Sequence, residues 1–363
     1  MGGLLYKKDS FARTALRGRF VSAADLRSDG NSFTLIRFVL ASTVIFSHGF
    51  VLTGYGNADP SLRLLPYPIS AVAVLLFFSL SGFLVTGGLL RKGVKVFAAA
   101  RARRLVPGLA VMLVVTVILG VAFTSVSPAT YFSSPSIVTY IVRNILFIGH
   151  AYRIETVFVG NHVPEVVNGS LWTIPNEVRC YTVLALAAAF GLLSSRSRAL
   201  SAFIVVLAVQ LAVPASFHPE YEATRRLGVS FLFGVVLYLW HERVFLSAPL
   251  AILISALAFA VPATALRETA IYLAATYVML VASFLAPSCI KRLSVALPDY
   301  SYGIYIYAFP VQQAVIALGL AATPYQDMMW ASVIAICFAA ASWHLVERPA
   351  LNISARQVRI VKV

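Results

Sequence analysis

Phe33-Thr34-Leu35-Ile36-Arg37-Phe38-Val39-Leu40-Ala41-Ser42-Thr43-Val44-Ile45-Phe46-Ser47-His48-Gly49-Phe50-Val51-Leu52 is the stretch whose reading decides the fold. A helix needs about 20 mostly apolar residues to cross a bilayer core, and this run has that length and character. Two of its side chains, Arg37 and His48, are ionisable. A charge inside a span is costly and faces a protein interior or a polar cavity, where it marks function. Arg37 and His48 are about three helical turns apart, so both project from nearly one face, roughly 16 Å apart along the axis. One face therefore carries a fixed cation near one membrane surface and a titratable imidazole near the other. Such an arrangement suits chemistry whose two reactants arrive from opposite sides.

Composition extends that reading to the whole chain. Of its residues 60% are hydrophobic and 12% charged, and mean hydropathy is +0.84. A soluble domain carries about 25% charged residues, so a polytopic, all-α transmembrane bundle is expected. The net charge of +15 raises nucleic acid as a partner, but the basic residues sit mostly in short segments between apolar runs. There they read as topology signals and phosphate ligands, with no nucleic acid involved. Cys180, Cys289 and Cys337 are scattered and odd in number, which argues against a disulfide framework or a metal site. Residues 1–32 are polar, basic and too long for a signal peptide, and an interfacial helix or disorder is expected there.

Ten apolar runs are expected to span: 33–52, 69–90, 105–124, 176–193, 199–214, 227–241, 249–263, 269–287, 301–321 and 328–346. A shorter apolar run at 137–149 carries Arg143 and reads as interfacial or re-entrant. Lys and Arg concentrate on one side of this topology: Lys7, Lys8 and Arg13 in the first segment, Arg91, Lys92, Lys95, Arg101, Arg103 and Arg104 in the next, and Lys291 and Arg292 later. The positive-inside rule then places both termini in the cytoplasm. The expected division is a basic cytoplasmic segment 1–32, a transmembrane domain 33–347 and a cytoplasmic tail 348–363. A long outer loop at about 125–175, rich in Ser, Pro, Asn and Gly, reads as a binding surface or lid.

Five local patterns follow in order. They are Phe33-Thr34-Leu35-Ile36-Arg37 leading to His48; Phe77-Phe78-Ser79-Leu80-Ser81-Gly82-Phe83-Leu84; Arg101-Ala102-Arg103-Arg104-Leu105-Val106-Pro107; Ser170-Leu171-Trp172-Thr173-Ile174-Pro175-Asn176-Glu177 with Tyr181; and Ser301-Tyr302-Gly303-Ile304-Tyr305-Ile306-Tyr307, with Glu347-Arg348-Pro349 near the end. This series resembles the membrane-bound acyltransferase-3 family, which O-acylates bacterial surface and secreted glycans. The resemblance runs over roughly residues 31–350. Many members have His after the Ser-Tyr run, where this chain has Ala308, which leaves His48 as the main titratable candidate.

The resemblance implies an O-acyltransferase of the bacterial inner membrane. Acyl-CoA, most simply acetyl-CoA, would be the donor and co-substrate. The acceptor would be a hydroxyl of a glycan or lipid-linked sugar, with membrane lipid around the bundle; whether the chain forms a homo-oligomer stays open. Acyl transfer needs a base for the hydroxyl proton and an acid for the thiol leaving group, and a neutral imidazole near pH 7 supplies both or holds the acyl group itself. His48 is the expected catalytic group, with Arg37 on its helix face. Glu177, placed at the same depth, is expected to orient the imidazole, as the third member of a triad does. Arg101, Arg103 and Arg104 are expected to dock the phosphates of coenzyme A, since guanidinium forks match phosphate oxygens. Ser81 and Gly82 are expected either to pack helices closely or to clear space for the acyl-pantetheine arm. Trp172 and Tyr181 are candidate substrate contacts. The rival class is a transporter or flippase for a glycan precursor, in which Arg37 and His48 would line a path.

Overall fold

The computed structural model describes residues 16–213 and 219–352; residues 1–15, 214–218 and 353–363, which include most of the expected C-terminal tail, lie outside the described residues. The described chain is helical apart from one two-stranded ribbon and isolated bridges. Four helices among the described residues are long and apolar enough to cross a membrane: Phe33–Leu52, Ile69–Gly120, Ala265–Phe284 and Pro324–Asn352. The chain divides into two compact units. One comprises the chain up to Val39, Val74–Gly93 and Leu186–Pro298. The other comprises Leu40–Ala73, Val94–Ala185 and the chain from Asp299 onward.

α1, Phe33–Leu52, is unbroken and coincides with the first expected span. α2, Ile69–Gly120, contains the second and third expected spans together with the basic segment between them. Gly93 interrupts it, with φ 78° and ψ 169°, a conformation open to glycine and closed to residues with a Cβ. Arg101, Arg103 and Arg104, expected in the segment between two spans, therefore stand on a helix. The local sequence favours this, because Ala98-Ala99-Ala100 and the arginines are strong helix formers.

In the first unit, the start of α2 meets α7 (Pro219–Leu239) backbone to backbone. A Cβ on Gly82 would fall on the Phe231 carbonyl, and one on Gly234 would fall on the Ser79 carbonyl. Ser230 Oγ donates to the Leu75 carbonyl at 2.7 Å. Small residues allow such approach where lipid supplies no hydrophobic drive. Of the two uses expected for Gly82, close helix packing is the one seen, since α7 backbone fills the space beside it. Ser81 beside it is half-buried. α7 also starts well before the expected residue 227. Arg226 bridges Glu222 one turn back and Glu268 at the start of α9 (Ala265–Phe284), and the paired charges let the helix continue past them.

Residues 19–32 match neither an interfacial helix nor disorder. Arg19–Phe20 forms β1, antiparallel to β2 at Phe245–Leu246. Arg19 then forks onto Asp25 at 2.6 and 2.7 Å and reaches the Phe284 carbonyl at 3.1 Å. Ser22 donates to the same carboxylate through both its amide and its hydroxyl. Burial works to raise the Asp25 carboxyl, but the hydrogen bonds from Arg19 and Ser22 and the Arg19 charge outweigh it, so it lies below the ordinary carboxylate value.

In the second unit, α11 (Ser301–Ala317) and α12 (Pro324–Ser342) form the main helix pair. A Cβ on Gly303 would lie 2.8 Å from Ala339, and Tyr307 stacks on Phe338 at 5.3 Å. α12 begins at a capping box, Thr323 with Gln326, and has Pro324 at its first turn. It runs into a π-helical turn at Trp343–Glu347. α4, Pro135–Ile145, has 11 residues, roughly 16 Å of helix, too short to cross a bilayer core.

The long connection after α2 is ordered. Bridges join Thr124 to Val157 and Arg153 to Val166. Phe147, Thr156, Phe158 and Glu165 hold positive φ, a costly conformation for residues with a Cβ that the surrounding contacts must fix. Gln313 on α11 supplies part of that fixing. Its side chain is fully buried, donates to the Val163 and Val166 carbonyls at 2.7 and 2.8 Å, and accepts from Asn161 at 2.7 Å. Leu52 at the end of α1, Val166 and Phe309 close an apolar cluster beneath the loop.

Candidate active site

His48 lies on the second-unit part of α1. Its ring meets the edge of Phe309 on α11, with centroids 5.4 Å apart. Nδ1 is buried and has no hydrogen-bond partner among the described residues. Its sequence neighbours are pinned on either side. Ser47 Oγ donates to Asp59 at 2.8 Å, and Asp59 in turn caps the short helical turn Pro60–Arg63 through the Ser61 amide. Gly49 lies so near the start of α12 that an added Cβ would be 3.0 Å from the Pro324 carbonyl. The helix is thus held on both flanks of the imidazole while the ring nitrogen is left free.

α11 also organises a second cluster. Tyr302 hydroxyl donates to the Leu105 carbonyl at 2.8 Å, and its ring lies 5.3 Å from the Arg104 guanidinium carbon. Tyr305 shares a 2.7 Å hydrogen bond with Thr173 at the start of α5 (Thr173–Ala189) and reaches the Ser170 carbonyl. Asn168, fully buried, donates to the Ile306 carbonyl at 2.8 Å. The Ser-Tyr-Gly-Ile-Tyr run is therefore the hub on which α2, α5 and α12 are assembled. Tyr302 and Phe309 are two turns apart on one face of α11, so the Arg104 and His48 sites are separated by roughly 10 Å along that helix.

Arg104 is buried. It donates to Glu347 at 2.8 Å and to Asp299 at 3.0 Å. Ser342 and Ser301 hold the remaining oxygens of those carboxylates, and Trp343 covers the guanidinium from the π turn. Its fork is taken by protein carboxylates, in place of the expected phosphate. Sequence reasoning missed both partners, although Glu347 stood in the quoted Glu347-Arg348-Pro349 pattern. Nothing in the local pattern around Asp299 signals its role.

Glu177 belongs with this cluster. Tyr181 donates to its carboxylate one turn along α5, and its charge acts on Arg104 and Tyr302. It makes no hydrogen bond to His48, whose Nδ1 has no partner. The expected Glu177–imidazole pairing is not seen among the described residues; the carboxylate is held by Tyr181 instead. Arg179 bonds Asn176 at 2.9 Å. Arg101 sits over the Tyr181 ring at 5.8 Å, and its Nε is buried with no hydrogen-bond partner among the described residues. Tyr181 is buried between Arg101, Phe97 and Glu177, which makes it a support of this cluster. Trp172 and Arg103 are half-buried. Arg37 is half-buried on the first-unit part of α1.

Comparison with known proteins gives the family. The acyltransferase domain of the acyltransferase-3 family matches residues 31–346. An O-acetyl transferase of Shigella phage Sf6 is 30% identical over 345 residues, covering 91% of this chain and 98% of the relative. Nodulation protein 10 of Rhizobium leguminosarum bv. viciae is 27% identical over 362 residues, covering 89% of this chain and 94% of its own. No solved structure matches the chain. The transporter alternative gives way to an enzyme. The chain belongs to the acyltransferase-3 family and is a membrane O-acyltransferase.

Proposed function

We propose that this enzyme moves an acetyl group from cytoplasmic acetyl-CoA to a hydroxyl of a surface or secreted glycan, or of its lipid-linked precursor, across a bacterial inner membrane. The ten helical runs would all span, with both termini inside. The phage relative's description as an O-acetyl transferase supports acetyl as the group transferred. Arg101, with Arg103 on the same helix, would meet the phosphates of the donor. Arg104, pinned by Glu347 and Asp299, would hold that end of α2 in place and leave phosphate binding to Arg101. The acyl-pantetheine arm would follow α11 over the roughly 10 Å between the Tyr302 and Phe309 levels.

At His48 the hydroxyl proton passes to the imidazole as the oxygen attacks the thioester carbonyl. The new C–O ester bond forms, the C–S bond breaks, and the proton returns to the departing sulfur as free thiol. The observation that carries this reading is the imidazole of His48, braced by Phe309 with an unpartnered buried Nδ1.

The test is release of free thiol from acetyl-CoA by purified enzyme in proteoliposomes, with His48→Ala at matched insertion. Thiol release dependent on a glycan acceptor, and lost in the variant, is the expected result. Wild-type acylation by His48→Ala would remove the imidazole from the chemistry.

A further inference from the structure

A second buried ionisable group stands against the helix that carries His48. Asp327, in the first turn of α12, and Gln312, on α11, are both fully buried. Gln312 Nε2 donates to the Ile45 carbonyl at 2.9 Å and to Asp327 Oδ2 at 2.6 Å. Two acceptors around one nitrogen fix the orientation of the amide, because the flipped form would set its oxygen against both. The nitrogen has then used both hydrogens. Two oxygens of the pair, Asp327 Oδ1 and Gln312 Oε1, are left buried without a partner among the described residues. The same carboxylate lies 3.3 Å from where a Cβ on Gly49 would stand, so the pair abuts α1 on both sides of His48.

Buried polar atoms are nearly always satisfied, and leaving one unmet costs roughly 1–3 kcal/mol. Here one proton settles two orphans at once. Placed on Asp327 Oδ1, it would turn the carboxylate into an acid able to donate to Gln312 Oε1 while Oδ2 still accepts from Gln312 Nε2. We propose that Asp327 carries a proton and forms a two-point acid–amide pair with Gln312, and that this pair is the positioning element which sets the Ile45–Gly49 turn and with it the imidazole of His48. A neutral pair suits the site, because no cation is bonded to Asp327 among the described residues and a bare carboxylate in an apolar interior is expensive. The catalytic purpose of the pair rests on the His48 reading; its protonation does not.

The test uses full-length enzyme in a detergent free of carbonyl groups. Asp327→Asn replaces the acid O–H by an amide N–H and preserves both hydrogen bonds, whereas Asp327→Leu removes them. Infrared difference spectra of wild type against Asp327→Asn should contain the carbonyl stretch of a protonated carboxylic acid, lost in the variant. Asp327→Asn should keep its melting temperature and stay within about threefold of wild-type kcat. Asp327→Leu should fall about a hundredfold in kcat, the scale expected when a reacting group is displaced by about 1 Å. Absence of the acid band, or an Asn variant no better than Leu, overturns the proposal and points to an ionised Asp327 held by a bound cation. Full activity in His48→Ala together with a positive acid band would remove the catalytic purpose and leave the pair standing.

Discussion

Arg104 and Glu347 meet at 2.8 Å, with side-chain exposures of 10% and 1%, although the whole bundle from α2 to the π turn separates them in sequence. A buried ion pair stripped of one member leaves an uncompensated charge, which costs roughly 3–5 kcal/mol. Glu347→Ala and Arg104→Ala should each lower the melting temperature sharply in detergent. The double substitution should be milder than the sum, with a coupling of about 1–3 kcal/mol in a thermodynamic cycle. Additive losses would show that the pair is bystander geometry. Arg104→Lys should behave like Ala, since an ammonium does not fork onto both Glu347 and Asp299.

Arg101 should report on the donor. Its Nε, without a partner among the described residues, should gain a charge-assisted bond on acyl-CoA binding. Losing one such bond costs on the order of 1.5–3 kcal/mol, roughly ten- to a hundredfold in affinity. Arg101→Ala should raise KM for acetyl-CoA by that factor and leave kcat nearly unchanged, as for lost uniform binding. A collapse of kcat at saturating donor, with unaltered donor binding, would place Arg101 at the reacting centre.

Gly82→Val should be a folding variant. The added side chain meets the backbone carbonyl of Phe231, which cannot rotate aside, and overpacking of this kind costs about 1–3 kcal/mol or more. The measurement is the yield of monodisperse protein after extraction, together with donor binding by whatever fraction folds. A well-folded Gly82→Val with selectively weakened acetyl-CoA binding would return Gly82 to the donor channel.

Asp25 should make the N-terminal anchor acid-sensitive. Its folded-state carboxyl lies below the unfolded value of about 3.9, so its contribution is complete above that value and is lost as pH falls through the depressed one. Wild type should therefore melt above Asp25→Asn at pH 7, and the gap should close below about pH 4. A gap that persists at lower pH would mean that the charge of Asp25 is not what holds Arg19.

Topology is checked by single cysteines, introduced near Lys95 and near His162 in a chain lacking Cys180, Cys289 and Cys337. An impermeant reagent should label the two sites from opposite sides of the membrane. Labelling from one side would sink the ten-span topology and transfer across the membrane with it.

Hydropathy and motif order carried the class, the helices and the family, because apolar length and helical period are local properties of the chain. α1 begins and ends where its apolar run does, and the Ser301–Tyr307 pattern that suggested the family proves to be the packing hub. Partner choice could not be read in that way. Arginine at 104 has the same local signature whether it awaits a phosphate or, as here, grips Asp299 and Glu347. Glu177 was expected at the imidazole, yet the turn of α5 gives it Tyr181. Gly82 was open to two uses, and only the approach of Phe231 on another helix decided between them. Gln312 and Asp327 drew no notice, since a lone amide and a lone acid in apolar helices form no pattern until folding sets them against Ile45 and Gly49. Sequence determines which segments leave water; which buried polar groups then satisfy one another depends on distances between segments far apart in the chain, and these exist only in the folded protein.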